Sequence, residues 1–299
     1  MNAGGRSASP ATARVSIFMP AFNGASFLPS TIDSLLAQTY RAFELIVVDD
    51  GSRDATAEIV DSYAARDPRV RLVRHPGNLG APAARNTGWR ASNPATAYLM
   101  DHDCDDLSEP TKLERLVSAL DRTPAWSAVG SFCRYIDPAG RSVGWPLLEW
   151  RASLIRRTFG RRNSLVVSAT LMRRTLLDEI APFRAEFSWC DDYDFFARAL
   201  SAGHRLANLP VVLHAIRLHP RSIGATRVGE MRAQAERVVA QYQRRVPEDR
   251  LATTALEATL RLRMMARQPA LLRLPLRAPH PRSDDGAGAG VRPDGGRPS

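Results

Sequence analysis

Leu45-Ile46-Val47-Val48-Asp49-Asp50-Gly51-Ser52 is an unbroken aliphatic run that ends on two carboxylates, a glycine and a serine. A segment that is apolar at every position, not at alternate ones, suits a parallel strand covered on both faces. Gly51 permits a sharp turn out of the strand, and Asp54 can cap a helix over roughly Ala55 to Ala65. The same strand-then-helix unit recurs on both sides of this stretch. Val15-Ser16-Ile17-Phe18-Met19, closed by Pro20 and the Asn23-Gly24 turn, precedes a helix on which Phe27, Ile32, Leu35 and Leu36 recur through Gln38. Val70 to Val73 reads as a third strand and Ala81 to Ala91 as a third helix. Ala97 to Met100 reads as a fourth strand, and a helix follows Pro110 with Leu113, Leu116, Val117 and Leu120 on one face.

Alternation at this spacing predicts an α/β fold in which helices flank a parallel sheet. In such sheets ligands bind beyond the carboxyl ends of the strands. Asp49-Asp50 and the stretch Asp101-His102-Asp103-Cys104-Asp105-Asp106 both follow strand ends, so the fold predicts one shared rim. Carboxylates this crowded repel one another unless a cation is present. A hard divalent metal with oxygen ligands would meet that need, and a phosphate-bearing ligand often comes with one. A solvated acidic loop is the other reading of the stretch taken alone.

Beyond residue 125 the alternation loosens. Ala128 to Tyr135, Leu165 to Met172 and Val211 to Ile216 read as strands, and Trp145 to Arg162 has no clear pattern. A helix follows Asp191-Asp192 up to Ala202, and another spans about Gly229 to Arg244, with a second reaching about Arg267. The organisation expected is a disordered N-terminus over 1–13, a folded domain over 14–225 (halves about 14–125 and 126–225), helices over 226–267, and a disordered Pro/Gly/Arg-rich tail over 268–299.

Composition narrows the class of protein. At 299 residues, 44% of them apolar, the chain can bury a sizeable core. About half of the +10 net charge lies in residues 261–299, which carry eight Arg against three Asp. Lys112 is the only lysine among 41 basic residues. No basic, aromatic-interleaved surface of the kind that nucleic acid requires is legible on the folded part. Cys104, Cys133 and Cys190 have no paired spacing, so neither a disulfide framework nor a zinc site follows. Met1 to Ala13 lacks an apolar signal-peptide core, and no run approaches 18 apolar residues. A cytoplasmic protein is expected.

The motifs, in their order, resemble glycosyltransferase family 2. They are Pro20-Ala21-Phe22-Asn23, Val48-Asp49-Asp50-Gly51-Ser52 with Asp54, and Asn78-Leu79-Gly80 to Ala84-Arg85-Asn86-Thr87-Gly88. Asp103-Cys104-Asp105-Asp106 with Pro110, then Asp191-Asp192, then Arg217-Leu218-His219-Pro220-Arg221-Ser222 complete the set. The resemblance covers roughly residues 14–225 and implies the GT-A fold, a mostly parallel central sheet flanked by helices that binds a nucleotide-diphosphate sugar. It implies nucleoside recognition by Asp49 and Asp50, a base-pocket wall of Pro20, Phe22 and Asn23, and a donor-pocket role for Arg85. The family's D-x-D-D pattern, counted to Leu107 and Pro110, selects Asp103 and Asp105 as the pair that holds Mg2+ or Mn2+, with Asp103 also near the ribose, and leaves Asp101 without a role. Arg217 and His219 would contact phosphate or metal. Asp192 would be the general base, with Asp191 standing where the family carries Glu.

What this implies is a metal-dependent, inverting transfer of a single sugar to a glycan or lipid-linked acceptor. The Q-x-x-R-W segment of processive synthases is absent. Two other readings stand beside it. One is an inactive nucleotide-sugar-binding or scaffolding protein of the same fold, against which the intact carboxylates argue. The other gives the Arg-rich tail a partner, either nucleic acid or an anionic membrane surface near a lipid-linked acceptor.

Overall fold

The computed structural model describes residues 13–243 except 161 and 181. The expected N-terminal segment, the helix to Arg267 and the tail therefore lie outside the described residues, apart from residue 13 and the helix that ends at Gln243. Four parallel strands, β1 (Val15–Ala21), β2 (Phe43–Asp49), β3 (Val70–Arg74) and β4 (Tyr98–Asp101), alternate with helices α1 (Leu28–Leu36), α2 (Thr56–Ala64) and α3 (Ala81–Ala91). The rest of the chain adds β5 (Leu107–Ser108), α4 (Lys112–Arg122), β6 (Ala128–Ile136), β7 (Ser142–Gly144), α5 (Ala152–Thr158), β8 (Leu171–Arg173), α6 (Arg174–Ile180), α7 (Asp191–Ser201), β9 (Leu206–Arg217), α8 (Ile223–Thr226) and α9 (Val228–Gln243).

The nine strands form one sheet in the order β3-β2-β1-β4-β8-β6-β9-β5, with β7 on β6. Parallel pairing runs through β3-β2-β1-β4 and returns between β6 and β9, whereas β8, β7 and β5 join antiparallel. Strand alternation sorts side chains into two helical layers. Ile17 and Met19 pack with Ile32, Leu35, Leu113 and Leu116 of α1 and α4. Phe18, Leu99 and Met172 pack with Leu177, Phe195, Phe196 and Leu200 of α6 and α7. Val238 and Tyr242 of α9 belong to that second core, and the Tyr242 hydroxyl donates to the Arg156 carbonyl at 2.7 Å. The last described helix thus packs into this core.

Several local expectations change. Leu165–Met172 is not one strand: Val167–Ala169 forms a 3-10 turn and only Leu171–Arg173 pairs. The turn lets Ser168 face inward, a reason that lies in tertiary packing. The last strand is longer than expected, running from Leu206 through Pro210. Asp54 lies one residue before the helix N-cap, Ala55, and accepts from the Ala25 N–H at 3.1 Å, joining the loops after β1 and β2. Gly51, at φ 73°, abuts the Gly77 backbone, where an added Cβ would lie 2.5 Å from a carbonyl carbon. Among the described residues no helix is long and apolar enough to cross a membrane.

Candidate active site

Asp101 is the last residue of β4, and its side chain is sealed inside the sheet edge. Arg85, on α3, reaches it from the neighbouring layer. Its Nε donates to Asp101 Oδ2, its Nη1 to both oxygens of Asp191 at 3.0 and 2.9 Å, and its Nη2 to Asp103 Oδ1 at 3.2 Å. Arginine can do this because its planar guanidinium presents N–H groups in several fixed directions. Asp191 opens α7, about a hundred residues away in sequence. It is brought to Arg85 by Asn86, whose side-chain amide bonds both to the carbonyl (2.8 Å) and to the N–H (2.9 Å) of Phe183. The Arg85 fork is therefore closed on three carboxylates.

Asp192 is the fourth carboxylate of this cluster. Its Oδ1 accepts from the Tyr193 N–H at 2.7 Å. Burial and the adjacent Asp191 charge push it up to about 6, against the pull of Arg85. Burial also pushes Asp101 up to about 7, with Arg85 opposing, and Asp101 Oδ1 has no hydrogen-bond partner. Four carboxylates around one guanidinium leave the rim with an excess of negative charge.

On the far side of the acidic loop, β5 pairs antiparallel with β9 through Leu107–Ala215 and Ser108–His214. That pairing carries the end of β9 up to the loop. His219 Nε2 lies 2.8 Å from Asp105 Oδ2, and its ring packs against Phe27 with centroids 4.9 Å apart. The Arg217 N–H donates to Asp106 Oδ1 at 2.9 Å, and its guanidinium donates to the carbonyls of Asp105 (2.7 Å) and Pro138 (2.9 Å). Arg217 is buried over the Phe27 ring. It braces the loop and, like Arg85, does not present an open fork.

The donor set fits a hard divalent ion. Asp103 and Asp105 keep 37% and 26% of their side-chain surface exposed, whereas Asp101 keeps none. His219 Nδ1 is buried without a hydrogen-bond partner while its Nε2 faces Asp105. Among the described residues no three His, Cys, Asp or Glu side chains form a protein-only cage. Mg2+ is commonly held by one or two carboxylates plus water and substrate phosphates, so two open carboxylates with an imidazole beside them are adequate. His102 and Cys104 are not part of this set: His102 bonds to the Asp103 carbonyl and to Ser108, and Cys104 packs against Gly24.

At the end of β2 the two aspartates diverge. Asp49 accepts at Oδ1 from the Ser52 N–H at 3.0 Å. Asp50 is committed to the protein: Oδ1 accepts from the Leu79 N–H at 2.9 Å and lies 2.7 Å from His75 Nδ1, while Oδ2 accepts from the Gly80 N–H at 2.8 Å. His75 in turn meets Thr87 Oγ1 at 2.9 Å. Asp50 thus clamps the entry to α3, and His75 is a partner that its sequence position does not reveal. Asn23, at φ 52°, accepts at Oδ1 from the Arg53 N–H at 2.9 Å and so joins two loops. Pro20 lies on β1 opposite Val48. Phe22 and Leu79 stand out from their loops, 46% and 60% exposed.

A half-parallel sheet whose strand ends converge on clustered carboxylates defines the class: a glycosyltransferase of the GT-A fold. The chain belongs to glycosyl transferase family 2, whose family model matches residues 16–181. An uncharacterized glycosyltransferase of Haemophilus influenzae is 40% identical over 186 residues, covering 62% of this chain and 71% of the relative. The uncharacterized glycosyltransferase EpsJ of Bacillus subtilis is 29% identical over 243 residues, 78% of this chain and 68% of the relative. Among solved structures, mannosyltransferase PcManGT from Pyrobaculum calidifontis, in complex with GDP-Man and Mn2+, aligns with a TM-score of 0.61 at 22% identity over 88% of this chain and 74% of its own. S. aureus TarS 1-349 with UDP-GlcNAc aligns with a TM-score of 0.64 at 18% identity, covering 86% and 73%.

Proposed function

We propose that the rim is the donor and catalytic site of a metal-dependent, inverting transferase that moves one sugar from a nucleotide-diphosphate donor to an acceptor hydroxyl. The observation that carries this reading is the convergence on Arg85 of three carboxylates from two separated motifs, with Asp192 beside them. Excess negative charge there suits a divalent cation better than it suits a naked diphosphate. Asp103 and Asp105, with His219, would hold Mg2+ or Mn2+, which supplies positive charge to offset what builds on the leaving diphosphate. Asp49, Pro20 and Phe22 would meet the nucleoside, and Asp103 would also meet the ribose. The Mn2+ and GDP-Man bound by PcManGT, and the UDP-GlcNAc bound by TarS, support a nucleotide-sugar donor here.

Asp192 takes the proton of the acceptor hydroxyl as that oxygen attacks the anomeric carbon. The bond from that carbon to the diphosphate oxygen breaks on the opposite face, and its electron pair leaves with the nucleoside diphosphate. One displacement inverts the anomeric centre. A base pushed up to about 6 is ionised near neutral pH yet basic enough to accept a proton in the transition state. Arg85 keeps Asp191, and with it the start of α7, in place for this step. The acceptor would be a glycan or a lipid-linked glycan of a surface polysaccharide or glycoconjugate, with the basic tail resting on an anionic membrane from the cytoplasmic side.

The decisive assay incubates the protein with a panel of nucleotide sugars, with and without Mn2+, and measures released nucleoside diphosphate in wild type and Asp192→Asn. Metal-dependent release that the substitution abolishes supports the enzyme. Donor binding without release in either form would establish an inactive binding protein instead.

A further inference from the structure

A second buried polar assembly adjoins the acidic loop, and the chemistry above makes no use of it. Its centre is Lys112, the first residue of α4, whose side chain is fully buried. Its ammonium bonds to the Ser168 carbonyl at 2.6 Å, His214 Nδ1 at 3.1 Å and Ser108 Oγ at 3.2 Å. An ammonium has only donors, so His214 Nδ1 accepts and the ring proton sits on Nε2. That Nε2 lies 2.9 Å from Asp106 Oδ2, and Ser168 Oγ donates to the same oxygen at 3.2 Å. His102 adds a parallel arm, with Nε2 2.9 Å from Ser108 Oγ and Nδ1 2.8 Å from the Asp103 carbonyl. Its ring meets His214 edge-on, centroids 5.3 Å apart.

The assembly therefore grips the acidic loop at three places: the Asp103 carbonyl, the Asp106 side chain and Ser108. It anchors them to α4, β9 and the 3-10 turn at Val167–Ala169. Burying an ammonium costs several kcal/mol even after relaxation, and burial pushes Lys112 down to about 7. A chain in which arginine fills every other basic position holds its one lysine at this point. Three acceptors arranged around one nitrogen suit a compact ammonium, whereas a planar guanidinium needs more room and a different geometry.

We propose that Lys112 is a positioning residue: through Ser108, Ser168 and His214 it fixes the backbone from Asp103 to Ser108 so that Asp103 and Asp105 face a divalent cation and a diphosphate together. The inference rests on the donor-site reading above, and Lys112 itself touches neither ligand. Lys112 reaches Asp106 only through His214, so it acts on the metal pair through geometry.

Lys112→Met keeps the length of the side chain and removes its donors. Ser168→Ala removes one hydroxyl with little change of volume. Hydrogen exchange read by mass spectrometry is expected to quicken in residues 103–108 and 214–219 in Lys112→Met, with β1 to β3 unchanged. Ser168→Ala should show the same pattern more weakly. Mn2+ affinity, measured by electron paramagnetic resonance with UDP or GDP present, should weaken about tenfold in Lys112→Met, the scale found for residues that orient metal ligands. In assays at saturating Mn2+ and donor, kcat should fall by less than about threefold, so the loss sits in half-saturation and not in turnover. Unchanged exchange in both segments, or faster exchange with undiminished Mn2+ affinity, overturns the proposal. If Lys112→Met does not fold, Ser168→Ala decides by the same two measurements. A wild-type protein without Mn2+ affinity would instead remove the donor-site reading, and the exchange data would still decide whether Lys112 orders the loop.

Discussion

Arg85 and Arg217 brace the same acidic loop from opposite sides, and they do so by different chemistry. Arg85, from the half of the chain that follows the strand–helix alternation, binds carboxylate side chains: Asp101, Asp103 and Asp191. Arg217, from the end of β9, binds main-chain carbonyls and lends its own N–H to Asp106. One region is held by charge and the other by backbone geometry. Burial and the carboxylates crowded around Arg85 raise Asp192, against the pull of the guanidinium. Bonds from Arg217 to main-chain carbonyls hold the loop where Asp105 meets His219. The loop gains reactivity on one side and shape on the other.

Substitutions can break or sharpen that contrast. The largest effect is expected from Asp192→Asn, which should lower kcat by about 10²–10⁴-fold, the usual worth of a general base, with donor KM nearly unchanged. A similar fall in KM-dependent rates alone would remove Asp192 from the chemistry. Arg85→Met should cost about 3–5 kcal/mol in urea denaturation, because it strands buried carboxylates without their cation. Arg85→Lys should recover little of this, since the three carboxylates are met by three separate nitrogens of the planar fork, which one ammonium nitrogen cannot replace. Arg217→Met should cost less, about 1–3 kcal/mol, the penalty for carbonyls left without donors. If the two arginine substitutions cost the same, the distinction between charge and geometry fails.

The smallest effect is in the pH profile. A base pushed up from 3.8 to about 6 by burial and by Asp191 must be ionised to act, so kcat should rise with pH and level off above about 6. Below that it should fall about tenfold per pH unit. Removing the neighbouring charge with Asp191→Asn should shift this acid limb to lower pH, and a limb that stays put would show that burial alone sets it.

Much of the first half of the fold was legible because its strands are buried on both faces and its helices carry one apolar stripe. Local pattern and tertiary environment agree there. Val70–Arg74 and Ala81–Ala91 fall within a residue of expectation for that reason. Leu165–Met172 misled because a fully buried apolar segment looks the same whether it pairs or turns; Ser168 turns inward to Asp106 and His214. β5 is only two residues long, too short for any periodicity, yet it ties the acidic loop to β9. His75, His102 and His214 gave no signal because each earns its place by a contact distant in sequence. Lys112 did leave a trace, as one lysine among forty arginines, but composition alone could not say what it touches.

By itself the sequence determined the strand–helix order, the position of every carboxylate at a strand or helix end, and the family those motifs belong to. These follow from short-range pattern: apolar runs, turn residues and helix starts. Only the tertiary structure decided which charges answer one another. Asp101, without a role in the linear motif, becomes the buried partner of Arg85, and Asp50 bonds at the entrance of α3. The physical reason is that an ion pair or a metal site depends on separations of about 3 Å, and no local rule carries that information across a hundred residues of chain.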